Sequence, residues 1–213
     1  MLLERERKEV VHYGNMLIEH SLTVGSGGNI SILNREAGLI ALSPSSMKYS
    51  DITPEDVVVM DLEGKITDGT RRASTEINMH LLIYQNRSDV NGIVHTHSIY
   101  ATAVACMGWD LEPVHYLVAM SGQKVKCSEY ATYGTPELAE YALEALGDRY
   151  ACLLKNHGLI AAAPTIEQAF STAEHIEYAA RLYCITKTLG APNILTNEQI
   201  QTVMDKFGTN PYK

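Results

Sequence analysis

The chain has 213 residues, 46% hydrophobic and 20% charged, enough to bury a core without disulfide or metal staples. Its formal charge of −8, from 17 Lys+Arg against 25 Asp+Glu, excludes general charge-driven binding to nucleic acid or to an anionic membrane. It leaves room for a local cationic or metal pocket that takes an anionic small molecule.

The opening MLLERERKEVV mixes both charge signs without an apolar stretch, which predicts no signal peptide. Apolar residues at helical spacing over residues 3–22 predict a first helix. A Gly-rich turn follows at Gly25-Ser26-Gly27-Gly28-Asn29, then two short strands at 30–33 and 38–43. Residues 57–60 and 65–67 flank Glu63-Gly64 as a second hairpin, after a helical turn at Thr53-Pro54-Glu55. The next helix is expected from Ser74 or Thr75 to about Gln85, a buried strand over 91–96 and a helix over 99–107. Strands are expected at 114–118 and 124–127, and a helix from Thr135-Pro136-Glu137 to about Leu146. Two more strands, 151–154 and 159–163, flank Lys155-Asn156-His157-Gly158. Thr165 with Gln168 and Thr196 with Gln199 read as capping boxes before two last helices, ending near 189 and 207. No linker or repeat divides the chain, so one domain spans 1–213, with its last residues a flexible tail. Helices alternate with strands and the hairpins make the sheet at least partly antiparallel. The cysteines (Cys106, Cys127, Cys152 and Cys184) form no CxxC pair and predict reduced thiols in a cytoplasmic protein.

The chemistry-bearing residues cluster at predicted strand ends and turns. His95 and His97 end a strand two residues apart, so both imidazoles can face one metal ion; polar strand-end residues are the plainer reading. His157, in a turn between two apolar runs, makes a facial set of three histidines possible, the layout of a catalytic zinc site. Glu76, at a helix start, reads either as an N-terminal charge favoured by the helix dipole or as a functional carboxylate. Its pairing with His80, four residues on, is a weaker second metal candidate. Three turns could share one phosphate: the glycine-rich turn ending in Gly28 and Asn29, Ser43-Pro44-Ser45-Ser46, and Ser74-Thr75 at a helix N-terminus. No GxGxxG and no Walker lysine is present, which makes a nucleotide site improbable.

Several segments together resemble the class II aldolase/ribulose-phosphate epimerase (aldolase II/adducin-head) family. They are Gly27-Gly28-Asn29-Ile30-Ser31, Ser43-Pro44-Ser45-Ser46, Ser74-Thr75-Glu76, Val94-His95-Thr96-His97, Val114-His115-Tyr116, Tyr130-Ala131-Thr132-Tyr133-Gly134-Thr135 and Asn156-His157-Gly158-Leu159-Ile160. The resemblance implies a three-layer α/β/α fold around a mostly antiparallel central sheet, assembled as a homotetramer with sites between subunits. It implies Zn(2+), or another divalent metal, on His95, His97 and His157, with Glu76 as ligand or base. It sets the substrate phosphate against Gly28, Asn29, Ser45, Ser46, Ser74 and Thr75, and makes Tyr116 a proton donor to a neighbouring subunit's site. Ser46 stands where the family's loop commonly has a glycine, and Tyr212 is the candidate for its C-terminal tyrosine. The implied activity is retro-aldol cleavage of a ketose 1-phosphate, L-fuculose 1-phosphate foremost, to dihydroxyacetone phosphate and an aldehyde such as lactaldehyde. Alternatives on the same scaffold are a 5-deoxy-pentulose-1-phosphate aldolase, a sugar-phosphate 4-epimerase and a methylthioribulose-1-phosphate dehydratase. The epimerases carry an aspartate near the segment 114–118, and no Asp occurs between Asp110 and Asp148.

Overall fold

A computed structural model describes residues 1–207; the expected flexible tail and Tyr212 lie outside the described residues. The elements run α1 (Glu4–Glu19), β1 (Asn29–Asn34), β2 (Leu39–Leu42), β3 (Val58–Asp61), β4 (Ile66–Asp68), α2 (Ile77–Asn86), β5 (Gly92–Thr96) and α3 (Ile99–Cys106). They continue as β6 (Lys126–Cys127), α4 (Pro136–Leu146), β7 (Ala151–Leu154), β8 (Gly158–Ala163), α5 (Ile166–Leu189) and α6 (Asn197–Lys206). One eight-stranded sheet has the order β4-β3-β2-β1-β5-β8-β7-β6. Every pair is antiparallel except β6–β7.

Strand periodicity divides the interior into two cores, one on each face of the sheet. Val94, Leu159, Ala161, Ile30 and Ile32 join Val10, Leu17, Val104, Ala173 and Ile176 of α1, α3 and α5. Ile93, Ile160, Ala162, Leu33 and Leu42 join Met79, Ile83, Leu138 and Ala142 of α2 and α4. The result is three layers, helices on both faces of a mostly antiparallel sheet. The central strands β5 and β8 are buried along their whole length, which is why they read as unbroken apolar runs. Alternation also sets direction for the site: His95 shares its face with Ile93 and therefore faces α2.

Thr135, Thr165 and Thr196 cap α4, α5 and α6, accepting from the backbone N–H three residues on. The capping box at Thr196 and Gln199 is complete. The expected strand at 114–118 is instead a 3-10 turn over Tyr116–Met120, with the His115 ring nitrogen accepting from the Leu117 N–H. Among the described residues no helix is long and apolar enough to cross a membrane, and none of the four cysteines is in a disulfide.

The helix that follows His97 is capped from a distance. Ser98, at the N-cap of α3, makes no side-chain cap bond. Glu177 of α5 takes its place, its two oxygens accepting from the Tyr100 N–H at 2.9 Å and the Ala101 N–H at 2.8 Å. A carboxylate there also meets the positive end of the helix dipole. Glu177→Ala removes two charge-assisted bonds, so it should lower stability by about 1–3 kcal/mol in denaturant unfolding.

Candidate metal centre and phosphate loops

Four side chains converge where β5, the β7–β8 turn and the start of α2 meet. One ligand atom from each of Glu76, His95, His97 and His157 lies within 4.8 Å of the others. His95 is on β5, its backbone paired with Asn29 on one side and Ile160 on the other. His97 lies just past the end of β5. His157 is held by the β7–β8 turn, where Asn156 takes the left-handed backbone (φ 56°) that asparagine tolerates well. Two close approaches need glycine. A Cβ on Gly158 would collide with the Thr96 carbonyl and press on the His97 ring, and one on Gly28 (φ 70°) would collide with the His95 carbonyl.

The donor set fits a divalent cation. His95 Nδ1 lies 2.9 Å from the Leu159 carbonyl, which can only accept, so this nitrogen carries a proton. In the neutral ring Nε2 is then a bare lone pair, and it lies 3.0 Å from His97 Nε2 and 3.3 Å from Glu76 Oε2. Glu76 is buried, and its Oε1 lies 3.1 Å from His157 Nε2 yet has no hydrogen-bond partner of acceptable geometry. An orphaned buried carboxylate oxygen beside His157, in a cluster of three imidazoles, is what a cation would satisfy. Burial alone would raise the Glu76 carboxyl, but His95 and His157 hold it far below the usual carboxylate range. Burial lowers His95, and the facing Glu76 charge more than reverses this. His97 is pushed down to about 4, first by burial and then by its imidazole neighbours.

The three phosphate-loop candidates are brought together. Asn29 Nδ2 lies 3.2 Å from Ser74 Oγ. The Ser45 N–H donates to the Arg72 carbonyl at 2.9 Å, Pro44 and Ala73 form an isolated bridge, and Ser43 Oγ accepts from the Ile30 N–H. Ser45 and Ser46 share a hydroxyl contact of 3.2 Å. Ser46 keeps a left-handed backbone, φ 61°, of the kind a glycine would adopt freely.

Helix α2 starts at Ile77, with Glu76 as its N-cap residue. Glu76 and His80 thus do not form a helical i,i+4 pair. His80 turns to β1 instead, between Asn29 and Ser31. Tyr116 is not brought into the cluster within one chain. It is half exposed, its ring 4.6 Å from that of His115, which in turn packs on Tyr178. Sequence reasoning assigned no role to Tyr130 and Tyr133. They line a cavity of about 370 Å³ together with Ala131, Glu76, His97 and His157. In the sequence they lie within the segment 130–135 that carries the family resemblance, and in the structure both are exposed beside the Gly134 turn. A roomier cleft of about 450 Å³, lined in part by Arg5, Glu9, Arg35 and Glu167, mixes both charge signs and holds no such convergent donor set.

Removing one imidazole should empty the centre. His157→Ala is expected to weaken divalent-metal binding by at least about 10²-fold, since even outer partners of metal ligands cost up to that much. Elemental analysis of the dialysed variant checks this, with circular dichroism to show that the fold persists.

Residues 8–184 match the family model described as Class II Aldolase and Adducin N-terminal domain. The chain is 49% identical over 207 residues to a 5-deoxy-D-ribulose 1-phosphate aldolase of Bacillus thuringiensis serovar kurstaki, covering 97% of each chain. It is 36% identical to an L-fuculose phosphate aldolase of Escherichia coli, over 88% of this chain and 87% of the other. A solved L-fuculose 1-phosphate aldolase superposes with a TM-score of 0.94 at 42% identity, over 95% of this chain and 96% of that one. Fold, donor cluster and sequence likeness agree: the chain belongs to the class II aldolase and adducin N-terminal domain family.

Proposed function

We propose that the chain, acting as a single catalytic domain, cleaves a 5-deoxy-pentulose 1-phosphate to dihydroxyacetone phosphate and acetaldehyde. The observation that carries the reaction type is the convergence of Glu76, His95, His97 and His157 beside the clustered hydroxyl loops. For the substrate, the higher identity to the relative named for 5-deoxy-D-ribulose 1-phosphate replaces the first expectation of L-fuculose 1-phosphate. The two substrates differ in the aldehyde half by one CHOH unit. Tyr130, Ala131 and Tyr133 give the cavity an aromatic and apolar side that suits the methyl end of acetaldehyde.

In this reading the C3–C4 bond breaks and its electron pair stays at C3. The C4 hydroxyl loses its proton as the aldehyde forms. A divalent cation on the imidazoles, zinc by its preference for such ligands, supplies Lewis-acid stabilisation of the charge left behind. Glu76, ionised at rest, takes up a proton from solvent and delivers it to C3, completing dihydroxyacetone phosphate and balancing the proton that the C4 hydroxyl releases to solvent; synthesis runs the same transfers in reverse. Gly28, Asn29, Ser45, Ser46, Ser74 and Thr75 form the loops that receive the phosphate. No lysine is among the residues lining the cavity, so an imine route has no amine at hand.

Tyr116 serves the C4 hydroxyl from a neighbouring copy in a homotetramer. Its half-exposed ring and its absence from its own chain's cavity support that placement. Mixing Glu76→Gln with Tyr116→Phe under subunit exchange should restore activity, because some interfaces pair an intact Glu76 with an intact Tyr116. No recovery despite proven exchange would refute the shared site.

A panel of ketose 1-phosphates tests the substrate. The 5-deoxy-pentulose 1-phosphates should be cleaved with kcat/KM about 10-fold or more above L-fuculose 1-phosphate, the range one extra group in a pocket commands. Chromatography should identify acetaldehyde as product. Preference for L-fuculose 1-phosphate would return the assignment to lactaldehyde.

A further inference from the structure

His80 is a buried polar side chain near the candidate metal centre that the proposed reaction leaves without a role. It is fully buried on α2, as is Tyr84 one turn further on. Opposite them on β1, Asn29 and Ser31 lie two residues apart and so share the α2-facing side of the sheet. These four side chains and Glu76 form an unbroken chain of hydrogen bonds. Tyr84 Oη is 2.8 Å from Ser31 Oγ, which is 2.6 Å from His80 Nδ1. His80 Nε2 is 2.5 Å from Asn29 Oδ1, and Asn29 Nδ2 is 2.9 Å from Glu76 Oε2.

Tyr84 Oη also donates toward the Ser31 carbonyl, 2.9 Å away, and the direction of the bonds from Ser31 to Glu76 follows from the last member. The ionised Glu76 carboxylate can only accept, so the amide hydrogens of Asn29 must face it. The Asn29 carbonyl oxygen then faces His80, and a carbonyl also only accepts. His80 Nε2 must therefore carry the proton, which leaves Nδ1 as an acceptor and Ser31 as its donor. Burial pushes His80 down to about 3, which keeps the ring neutral, and the Asn29 carbonyl contact sets its tautomer.

We infer that His80 is a positioning residue for Glu76, locking the Asn29 amide in the one orientation that donates to Oε2 and leaves Oε1 toward the metal site. Without the Nε2–H donor the Asn29 carbonyl loses its partner, and the amide still turns its hydrogens to the carboxylate but is no longer held in one position. Glu76 then loses a fixed support, and the group that moves the proton at C3 shifts. The inference rests on the proposed role of Glu76 in that transfer.

Two substitutions separate positioning from packing. His80→Gln can place an amide N–H where Nε2 stands, within reach of Asn29. His80→Asn reaches only the Nδ1 position, toward Ser31, and leaves the Asn29 carbonyl unpaired. Both lose the same ring. H80N should lose roughly 10–10²-fold in kcat and in solvent exchange of the hydroxymethyl proton of dihydroxyacetone phosphate, with KM little changed. H80Q should recover most of that loss at equal metal content and a Tm similar to that of H80N. In the wild-type protein, 15N NMR of labelled histidine should show His80 as the Nε2–H tautomer.

Equal losses in H80Q and H80N, wild-type exchange in H80N, or an Nδ1–H tautomer would each overturn the inference. Should neither variant fold, the wild-type tautomer decides it. Glu76→Gln run alongside separates the two levels. Wild-type exchange in E76Q removes Glu76 from proton transfer and this inference with it. Lost exchange in E76Q beside intact exchange in H80N overturns the positioning role alone.

Discussion

A buried carboxylate is expensive unless charge and hydrogen bonds surround it. Glu76 is tolerated because His95, His157 and the Asn29 amide all face it. Yet one negative charge cannot balance three protonated imidazoles packed around it. The cluster shows the conflict directly: His95 is raised by Glu76, while His97 is pushed down to about 4. A single divalent cation would resolve it, since all three rings then stay neutral and each lone pair has a partner. The surrounding backbone serves this arrangement. β1 and β5 pair so that Asn29 lies beside His95, and Gly28 and Gly158 let two chain segments approach closer than any side chain would permit.

Rigidity is distributed unevenly, in the pattern the chemistry needs. His95 sits inside a strand with partners on both sides, and α3 beyond His97 is tied to α5 through Glu177. The hydroxyl loop at Ser45 and Ser46 is different. Ser46 is exposed and left-handed, a conformation that costs a non-glycine residue about 1–2 kcal/mol. The backbone there keeps the shape a glycine would give. The serine adds a hydroxyl to it, so the loop trades conformational ease for one more donor.

The layered fold was legible because its signals were local. The unbroken apolar runs of β5 and β8, the 3.6-residue spacing of α1 and the capping threonines before α5 and α6 are all properties of short stretches of chain. His95 and His97 were legible for the same reason, since a two-residue spacing on a strand dictates a shared face. Four features were not. Val114-His115-Tyr116-Leu117-Val118 has strand composition, but His115 caps the Leu117 N–H and the segment turns into a 3-10 helix instead of joining the sheet. The Glu76–His80 spacing suggested one helical face, but Glu76 is the N-cap residue and only His80 lies in the helix. What His80 does depends on Asn29 and Ser31, some fifty residues earlier, and no local pattern encodes that contact. Tyr130 and Tyr133 were passed over because an exposed aromatic has no meaning until the cavity beside it is known.

The hydrogen-bond ledger also bears on how a phosphate would be recognised in a chain of net charge −8. Ser74 Oγ lies 3.2 Å from Asn29 Nδ2 and 3.3 Å from the Glu76 N–H, and both are donors. Its own hydroxyl hydrogen is therefore left to point elsewhere. Ser45 and Ser46 share one hydroxyl contact, in which either oxygen donates, so one of their two hydrogens is likewise left over. Both amide hydrogens of Asn29, by contrast, are engaged, one with Glu76 and one with Ser74. In the proposed site, recognition would then fall to hydroxyl donors and loop N–H groups, with Asn29 acting through Ser74. Neutral donors of this kind hold a dianion by orientation rather than by net charge. The same Asn29 amide faces Glu76, so in the proposed reaction the phosphate end and the proton-transfer end would share one buried side chain, with His80 holding its orientation for both.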